Sequence, residues 1–69
     1  MKNNLQTRLK ELRLEKNLSQ QKLAQEIYVT QKAIDFWEKG INEPKASYII
    51  KLAKFFGVSS DYLLGIEDD

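Results

Sequence analysis

The side chains of this chain that could do chemistry are few in kind: eleven Lys and Arg, ten Asp and Glu, three Tyr, and no His or Cys. Lacking His and Cys, the chain has neither the commonest general base nor a thiol nucleophile, and disulfides and a standard zinc site are excluded with them. Acid–base work would fall to the carboxylates, yet these are scattered over positions that read as helix surface. No spacing supports a Lys- or Tyr-based reaction either, so no enzyme, metal or cofactor is expected. What the ionisable residues offer is binding. The net charge of +1 is too small to drive association by itself. Residues 1–40, however, hold eight Lys/Arg against five Asp/Glu, and residues 41–69 hold three against five, ending in Glu67-Asp68-Asp69. One end favours anions and the other avoids them; the alternative is that these charges simply solvate helices.

The elements that position these groups must come from a short chain. Its 69 residues allow one domain, and folding at that size hides roughly 60% of the area the unfolded chain exposes. Without staples, stability must come from well-packed helices, with self-association as a further source. No apolar run approaches the roughly 20 residues needed to cross a bilayer, and the first residues lack a signal-peptide apolar segment. A soluble, cytoplasmic protein is expected, with no membrane partner and no small-molecule ligand in view.

Helical spacing recurs along the chain, while strand signals are weak. Leu5, Leu9 and Leu12 mark one face of a first helix, with Asn3 or Asn4 as its cap and an end near Lys16-Asn17. Ser19 caps a second helix, Gln20–Ile27, whose inner face is Leu23, Ala24 and Ile27. Thr30 caps a third, running to about Lys39 and stopped by Gly40; it buries Ala33, Ile34 and Trp37, and Val29 and Ile34 form a hydrophobic staple across its start. A loop containing Pro44 leads to a fourth helix, Ala46–Phe56, whose inner stripe is Ile49, Ala53 and Phe56, flanked by Ile50 and Leu52. Gly57 ends it, Ser59 caps a short fifth helix, and Gly65 ends that.

The stretch Leu18-Ser19-Gln20-Gln21-Lys22-Leu23-Ala24-Gln25-Glu26-Ile27-Tyr28-Val29-Thr30-Gln31-Lys32-Ala33-Ile34-Asp35-Phe36-Trp37-Glu38-Lys39-Gly40 resembles the helix-turn-helix of the phage repressor/Cro family, also called the lambda-repressor-like or XRE family. The likeness reaches back to Arg8-Leu9-Lys10-Glu11-Leu12-Arg13 and forward through Asn42-x-Pro44, Leu52-Ala53-Lys54-Phe55-Phe56-Gly57-Val58-Ser59 and Asp61-Tyr62-Leu63-Leu64-Gly65. It implies a compact all-α domain of five helices, with the helix-turn-helix made by the second and third. A single domain over residues 1–69 is expected, with its core at about 5–66.

The resemblance also implies a function. The chain would be a sequence-specific regulator of transcription that binds double-stranded DNA, of repressor type. It would sit as a homodimer on a palindrome-like operator, with the third helix in the major groove. Base contacts would come from Gln31, Lys32, Asp35 and Phe36. Gln pairs with adenine, Lys donates to guanine, Asp accepts from cytosine N4, and Phe packs on a thymine methyl. Phosphates would be met by Gln20, Thr30, Lys39, Asn42 and Lys45. Arg13 and Glu38 correspond to a family ion pair that ties the first helix to the end of the third. Leu64 and Ile66, with Tyr62 or Phe55, would form the two-fold interface, while Leu63 is core. The bland alternative is that the polar residues are ordinary solvent-exposed ones and that the terminal apolar residues finish the monomer core.

One position departs from the family. The turn usually held by Gly carries Tyr28, where left-handed geometry costs a bulky residue on the order of 1 kcal/mol. The ring is expected to cover the helix junction and recover that cost by burial; the other reading sets it near the nucleic-acid backbone. A second function also fits: the same fold used as a protein-interaction module, antitoxin- or anti-repressor-like. The low net charge, Asp35 and the aromatics Tyr28 and Phe36 favour it.

Overall fold

Local sequence sets where the helices begin. In the computed structural model, which describes residues 4–66, five helices follow in order: α1 (Leu5–Glu15), α2 (Gln20–Ile27), α3 (Gln31–Lys39), α4 (Ala46–Phe56) and α5 (Ser60–Leu64). Ser19 Oγ accepts from the Lys22 N–H at 3.0 Å, Thr30 Oγ1 from the Ala33 N–H at 3.1 Å and Ser59 Oγ from the Tyr62 N–H at 2.9 Å. Hydroxyl caps of this kind are each worth about 1 kcal/mol. Asn4 stands at the N-cap of α1, but its side chain makes no capping bond. Its main-chain N–H instead donates to the Leu64 carbonyl at 3.3 Å, tying the start of α1 to the end of α5. Gly65, at φ +80°, permits that approach, because a Cβ there would stand 2.9 Å from Asn4 Cβ. Asn3, the other expected cap, and the acidic run Glu67-Asp68-Asp69 lie outside the described residues.

One core joins all five helices. It is built from Leu5, Leu9 and Leu12 of α1, Leu23, Ala24 and Ile27 of α2, Ile34 and Trp37 of α3, Leu52, Ala53 and Phe56 of α4, and Leu63 of α5. The stripe of α4 is rotated from the expected one: Leu52 is fully buried, Ile49 only half-buried and Ile50 exposed. Periodicity treats Leu52 and Ile50 as equivalent flanks; the packing of α4 against α2 and α5 selects Leu52. Among the described residues, no helix is long and apolar enough to cross a membrane.

Tyr28 also corrects an expectation. It caps α2 in the left-handed region (φ 61°, ψ 48°), yet its side chain is 85% exposed and covers no junction. The inward position after the turn belongs to Val29, which packs on the core and donates its N–H to the Ala24 carbonyl at 2.9 Å. The backbone cost at Tyr28 is therefore not offset by burial of the ring. Tyr28→Gly should raise stability by about 1 kcal/mol, seen as a melting midpoint higher by roughly 4–8 °C for a domain of this size. A lowered midpoint would mean that the ring makes contacts worth more than the strain.

Candidate nucleic-acid interface

The helix-turn-helix is assembled by burying one side of α3. Ile34 is fully buried and Trp37 nearly so, while Ala33 is half-buried. Residues three and four positions apart share a face of a helix, so docking by Ile34 and Trp37 turns Lys32 to the opposite side, while Gln31 flanks the docked stripe in the first turn; both are exposed. Phe36, one turn on from Lys32, is half-buried, and the Lys32 ammonium lies 5.5 Å from its ring centroid. Gln31, Lys32 and Phe36 therefore form one outward surface of mixed polar, cationic and aromatic character.

Beneath that surface runs a polar network that fixes the angle of α3. Arg13 Nε donates to Glu38 Oε2 at 2.6 Å and Nη2 to Oε1 at 3.0 Å, while Nη1 reaches the Leu18 carbonyl at 2.8 Å. Both side chains are nearly withdrawn from solvent, at 10% and 4% exposure. The hydrogen bond to Glu38 outweighs desolvation and pushes the guanidinium pKa further up. Gln20 extends the network, its Nε2 donating to Glu38 Oε1 at 3.1 Å and to Asp35 Oδ1 at 3.2 Å. Lys39 Nζ then pairs with Asp35 Oδ2 at 3.0 Å. The Lys39 bond above all, followed by the Gln20 amide, holds the Asp35 carboxyl below the usual carboxylate range.

Three residues expected on DNA have partners within their own chain. The Gln20 side-chain amide, expected on a phosphate, is engaged inside the protein by two carboxylates. Asp35, expected on a base, accepts from Gln20 and pairs with Lys39, an ion pair open to solvent. The i,i+4 spacing of Asp35 and Lys39 was a readable signal for their ion pair. Nothing local in sequence links Gln20 to a carboxylate 15 residues away.

The remaining candidates surround the tip of α3. Thr30 is exposed and accepts the capping N–H, which leaves its own O–H to donate outward. Asn42 and Lys45 are exposed and line, with Trp37, Glu43, Pro44 and Tyr48, an open cleft of about 290 Å³. Trp37 and Tyr48 brace the two sides of the loop with ring centroids 5.7 Å apart. At the other end of the chain, Ile66 is 68% exposed, while Leu64, Tyr62 and Phe55 are half-buried. Tyr62 is partly covered by its own chain, with the Arg8 guanidinium 4.2 Å from its ring centroid.

This geometry has known relatives. The family profile described as Helix-turn-helix matches residues 9–63. The HTH-type transcriptional activator BcrR of Enterococcus faecalis is 41% identical over 61 residues, which are 88% of this chain and 30% of BcrR. An uncharacterised HTH-type transcriptional regulator of Methanocaldococcus jannaschii is 37% identical over 65 residues, 94% of this chain and 98% of that protein. The P22 c2 repressor, solved in complex with synthetic operator 9T, superposes with a TM-score of 0.85 at 28% identity, over 91% of this chain and 96% of that one. Five helices in the same order, a capped α2–α3 pair and these matches agree: the chain belongs to the helix-turn-helix family of phage-repressor (XRE) type, with the lambda-repressor-like fold.

Proposed function

We propose that this chain is a sequence-specific transcriptional regulator of repressor type that binds double-stranded DNA in the cytoplasm. Residues 5–66 act as one unit and need no cofactor. Two copies sit on a palindrome-like operator, each with the start of α3 in the major groove. The observation that carries this reading is the exposure of Gln31 and Lys32 at the first turn of a helix docked through Ile34 and Trp37. Likeness to the P22 c2 repressor, whose structure holds an operator, supports it.

Within the reading, Gln31 addresses adenine, Lys32 guanine O6 and N7, and Phe36 a thymine methyl. Asp35 serves the tip mainly by restraining Gln20 and Lys39. Thr30, Asn42 and Lys45 hold phosphates, joined by Lys39 when the duplex draws it from Asp35, and by main-chain N–H groups at the start of α2 beside Gln20. Duplexes selected from a random pool provide the test. Gln31→Ala or Lys32→Ala should each cost about 1–3 kcal/mol on the selected duplex and relax preference at one base pair. An equal loss on random duplex would remove base reading from these residues.

The two-fold contact is assigned to Leu64 and Ile66 with Tyr62, because Ile66 is largely exposed at the end of the described chain. Leu64→Asp should shift sedimentation toward the monomer, since it places a charge in an apolar contact. A profile unchanged from the parent would exclude this interface.

A further inference from the structure

A second surface stands apart from the reading tip. Between the end of α2 and the outer side of α4 lies an open groove of about 370 Å³, lined by Glu26, Ile27, Tyr28, Lys51, Lys54 and Phe55. Its floor is apolar, formed by buried Ile27 and half-buried Phe55, and Tyr28 stands over it with most of its ring in solvent. Lys51 Nζ lies 5.8 Å from the Tyr28 ring centroid and 5.4 Å from that of Tyr48. Among the described residues neither Lys51 nor Lys54 pairs with a carboxylate, whereas Glu26 on the rim is engaged by Lys22 at 3.4 Å. Tyr28 is 85% exposed while held in left-handed backbone, so little of its apolar area is buried by its own chain. Exposed aromatic rings are enriched at recognition surfaces.

We propose that this groove binds a short acidic peptide segment of a partner protein. An aromatic or aliphatic side chain of the segment would sit on Ile27, Tyr28 and Phe55, and its carboxylates would meet Lys51 and Lys54. Charge complementarity selects the acidic partner: among the described residues Lys51 and Lys54 have no carboxylate partner, and the apolar floor requires that the anion carry a greasy side chain. DNA is the competing occupant, because Thr30 follows Tyr28 by two residues. The position of the groove argues against it. Tyr28 closes the end of α2 opposite Gln20, and at a rise of about 1.5 Å per residue Lys54 lies roughly 13 Å along α4 from Lys45. The groove thus lies at the far end of α2 from Gln20 and toward the far end of α4 from Lys45, and of the residues assigned to phosphate it adjoins Thr30. Gln31 and Lys32 do not line it.

The experiment records backbone amide shifts of the isotopically labelled full chain on titration with a blocked decapeptide of alternating Asp and Phe or Leu. Parallel titrations use the same peptide with Ser for Phe and Leu, and a random-sequence duplex. The expected result is shifts centred on Ile27, Tyr28, Lys51, Lys54 and Phe55. Binding should be at least tenfold weaker for the Ser peptide, and at least tenfold weaker for the Lys51→Glu/Lys54→Glu variant, whose substitutions lie on exposed positions. Tyr28→Gly should weaken the peptide similarly without lowering affinity for duplex. An unchanged spectrum overturns the proposal. So do shifts centred on Gln31 and Lys32, which would report general attraction of anions. Shifts of Tyr28 and Lys51 with duplex but not with peptide would make this a DNA-backbone surface and equally reject the peptide site. None of these outcomes depends on whether Gln31 and Lys32 read bases.

Discussion

Glu38→Ala is expected to cost about 3–5 kcal/mol of folding stability, because it strands a buried Arg13 whose partner is removed. The Glu38 carboxylate is 4% exposed and accepts from Arg13 Nε and Nη2 and from Gln20 Nε2. Its loss leaves a guanidinium with only the Leu18 carbonyl and an amide with only Asp35. A domain of this length holds roughly 3–10 kcal/mol in total, so the single variant should be largely unfolded at moderate temperature. The double variant Arg13→Leu/Glu38→Leu should be markedly more stable than Glu38→Ala, since desolvation of the pair offsets much of its attraction and apolar replacements remove both costs together. Urea unfolding of the two variants and the parent decides the point. A cost near 1 kcal/mol or less for Glu38→Ala would put the pair in the class of solvent-screened surface bridges, and the aim of α3 would have to come from Ile34 and Trp37 alone.

The second large effect is on DNA binding. Each half-site would meet Lys39 and Lys45, with Lys32 on the tip itself, so a dimer brings about four to six cations to the duplex. Released counterions then give a slope of log affinity against log salt of about −4 to −5, and a loss of roughly 10²- to 10³-fold between 50 and 200 mM salt. A monomer with half those contacts would lose only about 10- to 40-fold over the same range. Because Lys39 already pairs with Asp35, the shallower end of each range is the expected one. Anisotropy of a labelled duplex across a salt series separates these cases. An absence of binding at every salt concentration would reject the DNA-binding proposal and favour a protein-interaction module built on the same fold.

The helices of this protein are legible along its chain, because what starts and stops a helix is local. Ser19, Thr30 and Ser59 each reach an N–H three residues on, and Gly40, Gly57 and Gly65 take the left-handed angles that close their helices. The bounds of α2, α3 and α4 and the inward residues of α1 to α3 follow from such neighbours and from a 3.6-residue period. Packing between helices selects which of two equivalent flanks of α4 is buried, and it turns Val29 rather than Tyr28 inward. It also joined Gln20 to Asp35 and Glu38, partners that residue type alone does not suggest. The reason is one of range. Caps and periodicity are settled by atoms within a turn of each other, while the partner of a side chain depends on how separate helices are set against a common core, and no short stretch of chain carries that.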